Sequence, residues 1–162
     1  MRILGVDPGT RRTGYGVIER CDDALRAVAY GAVSLDVRRP LPERLGQIYD
    51  ALGKIIATHR PQVLALEKAF YGRNVQSALR IGEARAVALL CAHQAGLAVA
   101  EYAPAAVKRS AVGAGRAHKS QVQRMVRIHL GLREEPRPED AADALAIAIC
   151  HAHHLVLEGR IG

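Results

Sequence analysis

Four carboxylates stand where a chain can hold them rigidly: Asp7, Glu67, Asp140 and Asp143. Asp7 closes the short apolar run Arg2 to Val6, just ahead of Pro8-Gly9, and Glu67 closes the apolar run Gln62 to Glu67. Groups on strand ends are better positioned than groups on loops. If the two strands are neighbours, their ends lie about 5 Å apart and the two acids share a cleft. Asp140 and Asp143 open the last helical stretch; three residues apart, they lie ~60° apart around the axis, on one face. Four acids converging without a cation would repel strongly. Oxygen-only donors suit Mg²⁺ or Mn²⁺ and not zinc, and two such ions can activate a water and stabilise the leaving oxygen of a phosphodiester. Each acid also has a plainer reading: Asp7-Pro8 as the start of a turn, and Asp140 with Asp143 as first-turn acids favoured by a helix N-terminus.

The second chemical feature is positive charge. The net charge is +7 and the pI about 9.8, a balance that favours a polyanionic partner. From Tyr102 to Arg133 there is no Asp or Glu, while Lys108, Arg109, Arg116, Lys119, Arg124, Arg127 and Arg133 all fall there. Such a stretch is either a solvated face or a surface that tracks phosphates. The only Phe, Phe70, sits in the polar loop Ala69 to Arg73. It packs on the domain or stacks on a base, an interaction worth ~1–3 kcal/mol. Arg73, Arg80 and Arg85 border the second acid and are candidates for strand contacts or for a solvated helix surface. An acidic, metal-filled pocket beside a basic surface is what a nuclease requires.

The elements that must position these residues follow from the pattern. A length of 162 residues predicts one domain, 1–162, with a possible flexible tail from about 158. Arg2 to Val6, the run beginning at Thr13 and Leu25 to Leu35 read as three strands. Pro42 opens a helix striped by Leu45, Ile48, Tyr49, Leu52, Ile55 and Ile56, stopped at Arg60-Pro61. A strand to Glu67 precedes a long helix, with Asn74 as its N-cap and Gly96 at its end. Leu97 to Tyr102 is the fifth strand. Helices from Pro104 to about Val112, from about Ser120 to Leu130, and from Pro138-Glu139 to about Leu157 complete the order βββαβαβααα. Three meander strands followed by alternating units predict an α/β fold: a mixed five-stranded sheet with helices on both faces. Cys21, Cys91 and Cys150 form no CxxC pair, which argues against a zinc knuckle or disulfide framework and fits a reducing compartment. With no signal peptide and no long apolar span, the expected location is cytoplasmic. His151, His153 and His154 are expected at a solvated terminus.

In their order along the chain, several motifs resemble the RuvC family of Holliday-junction resolvases. They are Asp7-Pro8-Gly9-Thr10 with Thr13-Gly14-Tyr15-Gly16, Leu66-Glu67, Ser77-Ala78-Leu79, Gly82-Glu83-Ala84-Arg85-Ala86, Val107-Lys108, Lys119-Ser120-Gln121-Val122-Gln123, and Asp140 through Ala148. The resemblance spans essentially the whole chain. It implies a ribonuclease H-like fold and a homodimer that cuts four-way DNA junctions by paired nicks with Mg²⁺ or Mn²⁺, leaving a 5′-phosphate and a 3′-hydroxyl. Asp7, Glu67, Asp140 and Asp143 fall on the family's metal-binding catalytic acids. Phe70 falls on an aromatic that stacks at the junction centre, and Lys108 and Lys119 on basic residues near the scissile phosphate. Arg73, Arg80 and Arg116 are the further DNA-contact candidates. A branch-migration helicase complex (RuvA and RuvB) is the implied partner. Thr10 replaces the family's commoner Ser.

Other classes make different demands. A junction-binding module would not need the complete acid set, and a ribonuclease H-like RNA-processing nuclease would cut RNA as readily as DNA junctions. An actin-type ATP-binding domain also begins with a strand ending in Asp-x-Gly-Thr, but it needs a second comparable domain and leaves the basic stretch unexplained.

Overall fold

The computed structural model describes residues 1–9, 11–21, 24–68 and 75–161. Strands β1 (Arg2–Asp7), β2 (Arg12–Cys21) and β3 (Ala24–Ser34) form an antiparallel meander. Helix α1 (Leu41–His59) leads to β4 (Val63–Glu67), and α2 (Val75–Gln94) to β5 (Ala98–Tyr102). Helices α3 (Pro104–Val112), α4 (Lys119–His129) and α5 (Glu139–Ile161) close the chain. The sheet order is β3-β2-β1-β4-β5, with β4 parallel to both β1 and β5. This is the mixed five-stranded sheet that the sequence predicts.

The strand sequences match their places. The central strands β1 and β4 are covered on both faces and so are apolar almost throughout, Ile3, Leu4, Val6, Leu64, Ala65 and Leu66 being buried. At the edge, β3 alternates between exposed and half-buried residues over much of its length. One core cluster lies between the sheet and α3, α4 and α5, the other between the sheet and α1 and α2. Local signals set the helix ends. Pro104 opens α3, and Gly113, at φ 81°, closes it in the left-handed conformation that glycine adopts without strain. A capping box between His118 and Gln121 starts α4.

Helix α5 rests directly on the strands. A Cβ added at Gly5 would lie 2.0 Å from the carbonyl oxygen of Ala144, and one at Gly14 would lie 2.0 Å from that of Asp140. Only glycine at these two positions lets backbone meet backbone there. This seam fixes the height of the first turn of α5 over the ends of β1 and β2.

Two histidines of α5, His151 and His153, differ from the solvated terminus predicted for them, while His154 is exposed. His151 is buried, with Tyr102 Oη 2.6 Å from its Nδ1, and His153 Nδ1 lies 2.9 Å from Ser110 Oγ. Because α5 runs on to Ile161, these residues lie on a continuous helix facing β5 and α3. Cys91 and Cys150 are buried and Cys21 is exposed. Among the described residues, no helix is long and apolar enough to cross a membrane.

Candidate active site

Register brings the first two acids together. Val6 pairs with Leu66 in the parallel ladder, so Asp7 and Glu67 are the next residues on adjacent strands. Side chains alternate across a sheet, and these two project on the face of Ala65 and Gly5, which α5 covers. Helix α5 supplies Asp143 from its first turns. Asp7, Glu67 and Asp143 line one cavity of about 300 Å³ with Lys108 of α3 and Lys119 of α4, over an apolar wall that includes Val107 and Ile147.

The field in this cavity is strongly negative at its centre. Burial pushes the Asp7 carboxyl up to about 7, and Asp143, Glu67 and Asp140 push the same way, with Lys119 opposing them. Burial, then Asp143, raises Glu67, and Lys108 opposes that rise. Lys119 Nζ lies 2.9 Å from Asp143 Oδ2 and 3.3 Å from Glu139 Oε2. The hydrogen bond to Asp143 is the main cause of its raised pKa. Asp140 stands to one side. It borders a second, open groove on β2 and β3, and its Oδ2 lies 4.0 Å from Arg12 Nη1.

Among the described residues, no three Asp, Glu, His or Cys side chains are drawn together closely enough to enclose an ion. The donor chemistry nevertheless fits a hard divalent cation: every candidate ligand is a carboxylate oxygen, and the like-charge pressure on Asp7 is what such a cation would relieve.

The other candidates divide. Lys108 and Lys119 line the acid cavity. Arg80 is exposed on α2 and borders a small crevice with Gly9, Arg44 and Leu45, on the α1 side of the sheet. Arg116 is exposed on the turn between α3 and α4. Phe70, Arg73, Tyr71 and the expected cap Asn74 lie outside the described residues.

Arg85 is drawn inward. Its Nη1 donates to the backbone carbonyl of Glu67 at 2.8 Å, and its Nη2 pairs with the Glu101 carboxylate. Val6–Leu66 is the last registered pair of β1 and β4, so Arg85 takes up a carbonyl at the fraying end of the ladder. It positions the backbone that carries Glu67. A lone acid within the apolar β5 was the available sequence signal for such a partner.

Comparison with known proteins gives the family and the fold. The family model described as crossover junction endodeoxyribonuclease RuvC matches residues 3–151. A crossover junction endodeoxyribonuclease RuvC from Chloroflexus aggregans is 54% identical over 162 residues, covering 100% of this chain and 99% of its own. The Thermus thermophilus RuvC structure superposes with a TM-score of 0.89 at 35% identity, covering 98% of this chain and 97% of that one. The structure of T. thermophilus RuvC in complex with a Holliday junction substrate gives a TM-score of 0.89 at 34% identity, covering 97% and 96%. The fold is thus ribonuclease H-like. With the family model and the full-length relative in agreement, the chain belongs to the crossover junction endodeoxyribonuclease RuvC family.

Proposed function

We propose that this protein is a Holliday-junction resolvase, a metal-dependent endonuclease that makes paired nicks in four-way DNA junctions during recombination and repair. The observation that carries the reading is the joining of Asp7, Glu67 and Asp143 in one cavity flanked by Lys108 and Lys119. Family membership supports the same activity.

Asp7, Glu67, Asp140 and Asp143 would hold Mg²⁺, with Mn²⁺ as a substitute and two ions as the expected number. When bound, such cations polarise the phosphodiester and lower the cost of deprotonating the attacking water. The chain's own groups do the rest. The carboxylates, fixed on strand and helix ends, orient that water and accept its proton. Lys108 and Lys119 place ammonium charge where the phosphate gains negative charge. The water attacks in line and the 3′-oxygen leaves, giving a 5′-phosphate and a 3′-hydroxyl. Phe70 would stack on junction bases, and Arg73, Arg80 and Arg116 would contact the backbone.

Paired nicks need two facing sites, and a two-fold homodimer supplies them. Helix α2 offers a surface for it. Its Ala84, Ala88 and Cys91 face the core, while Val75, Leu79 and Leu90 lie exposed on the opposite side, at 70%, 63% and 49%. A branch-migration helicase complex (RuvA and RuvB) is the further partner in this reading.

The test uses end-labelled synthetic four-way junctions and matched linear duplexes in Mg²⁺, Mn²⁺ or EDTA. Symmetric nicks in the junction alone, in metal, and lost in Glu67→Gln, are the expected result. Binding without cleavage in every metal would leave only a junction-binding module. Equal cleavage of RNA would favour RNA processing.

A further inference from the structure

The positive stretch legible in the sequence lies on α3, α4 and their flanks, and it brings Lys108 and Lys119 to one side of the acids. The other side holds a groove of about 810 Å³ at the site end of β2 and β3, lined by Gly9, Arg11, Arg12, Ser34, Val37 and Asp140 among others. Its two arginines are exposed, and Asp140 is the sole acid of its lining among the described residues.

Both arginines stand on well-fixed backbone. The carbonyl of Arg11 accepts the N–H of Leu35 at 2.9 Å, and Arg12 pairs with Ser34 at the head of the β2–β3 ladder. The turn before them is tight, since a Cβ on Gly9 would lie 2.1 Å from the carbonyl oxygen of Arg12. At 4.0 Å from Asp140, Arg12 is held near the acids at a distance beyond hydrogen bonding, which leaves its donors for another acceptor. A pair of exposed guanidinium groups on fixed backbone suits phosphate oxygens better than lysines do, because each planar fork can donate two hydrogen bonds.

We propose that Arg11 and Arg12 form a second phosphate-binding strip, holding the DNA strand being cut on the side of the acids away from Lys108 and Lys119. The inference rests on the resolvase reading and adds a binding site to it. The spacing is suitable. From β2, which carries Arg12, to β1 and β4 is one to two strand steps, about 5–10 Å at the usual inter-strand distance, which is about one to three nucleotides at ~3.4 Å of helix axis each. A strand with its scissile phosphate at Asp7 and Glu67 therefore brings phosphates about one to three nucleotides away over the arginines. Basic groups on both sides of the acids fix the line that the strand follows across the site. This bank escapes a reading by charge runs because Arg11 and Arg12 are only two residues, remote in sequence from Lys108 and Lys119.

The experiment measures junction affinity against salt for the full-length protein in Ca²⁺, together with cleavage in Mg²⁺. Arg11→Gln/Arg12→Gln should lower the slope of log K against log[salt] by about 1.4–1.8, the amount expected for two phosphates. Arg11→Lys/Arg12→Lys should keep most of the slope. Arg20→Gln/Arg26→Gln, at the far end of the same two strands, should behave as wild type. Neutral methylphosphonates placed singly about one to three nucleotides to one side of the cut should weaken wild-type binding and leave the glutamine variant unaffected. A wild-type slope in the glutamine variant overturns the strip. So does a methylphosphonate map that is flat for the wild type, a result that decides the matter even if the variant fails to fold. Wild-type cleavage with no change of slope condemns the strip alone, whereas a changed slope with no cleavage by the wild type condemns the nuclease reading alone.

Discussion

Asp7 carries the most legible chemistry of the chain and the clearest electrostatic cost. Its folded pKa is about 7 against 3.8 for the free side chain. Between these values the folded chain keeps a proton that the unfolded chain gives up, so stability falls as pH rises through this window. Above it the full cost remains; below 3.8 both states are protonated and the cost is gone. In EDTA, Asp7→Asn should therefore melt several degrees above wild type at pH 8, with the gap closing as pH falls towards 4. A gap independent of pH in thermal melts would refute this origin. The same variant should lose cleavage by at least a thousandfold while retaining junction binding in gel-shift assays; loss of both would point to a structural role. The acids were readable because Asp7 and Glu67 end runs patterned as strands, and Asp140 and Asp143 open a run patterned as a helix. Arg85 was not, since its inward turn from α2 depends on Glu101 and on the carbonyl of Glu67, partners supplied by the two strands β5 and β4. Whether an arginine is solvated or buried is decided by tertiary neighbours that no local pattern contains.

At the level of elements, the order of strands and helices followed from periodicity and from Pro and Gly punctuation, with boundaries within a few residues. What the pattern did not disclose was the reason for the glycines of β1 and β2. Gly14 reads as a neutral member of a β-like run, yet it is the place where Asp140 comes down onto the sheet. Gly14→Ala should push the start of α5 away from β2. The expected cost is about 1–3 kcal/mol of stability, as for other overpacked sites, measured by urea denaturation. Cleavage should fall further than junction affinity, because the displaced turn carries Asp140 and Asp143. Equal losses of binding and cleavage would show that the seam matters only for folding. The histidines of α5 teach the same lesson: three of them near a terminus look solvated, and His154 is exposed, but the helix continues and seats His151 on Tyr102 and His153 on Ser110.

For the whole molecule, composition set the class of partner and the fold set where that partner can lie. The apolar outer stripe of α2 was visible as Ala and Leu on more than one side of a long helix; which side meets the sheet required the packed structure. Leu79→Arg with Leu90→Arg should convert the proposed dimer to monomers in sedimentation velocity, leave the fold intact by circular dichroism, and replace paired nicks by slow, uncoordinated ones. A dimer that survives both changes would place the interface elsewhere. The three cysteines are also unequal. Burial raises the thiol pKa of Cys91 and takes that of Cys150 to about 11, while Cys21 is exposed. A maleimide should modify one thiol per folded chain and three after denaturation, counted by mass spectrometry. Cys21 closes β2 nine residues beyond Arg12, about 30 Å along the strand. Each chain therefore comes with a single natural attachment point for a dye, well away from the acids, and in the proposed homodimer a donor and acceptor on the two subunits would report in real time any change in their separation when junction DNA is added.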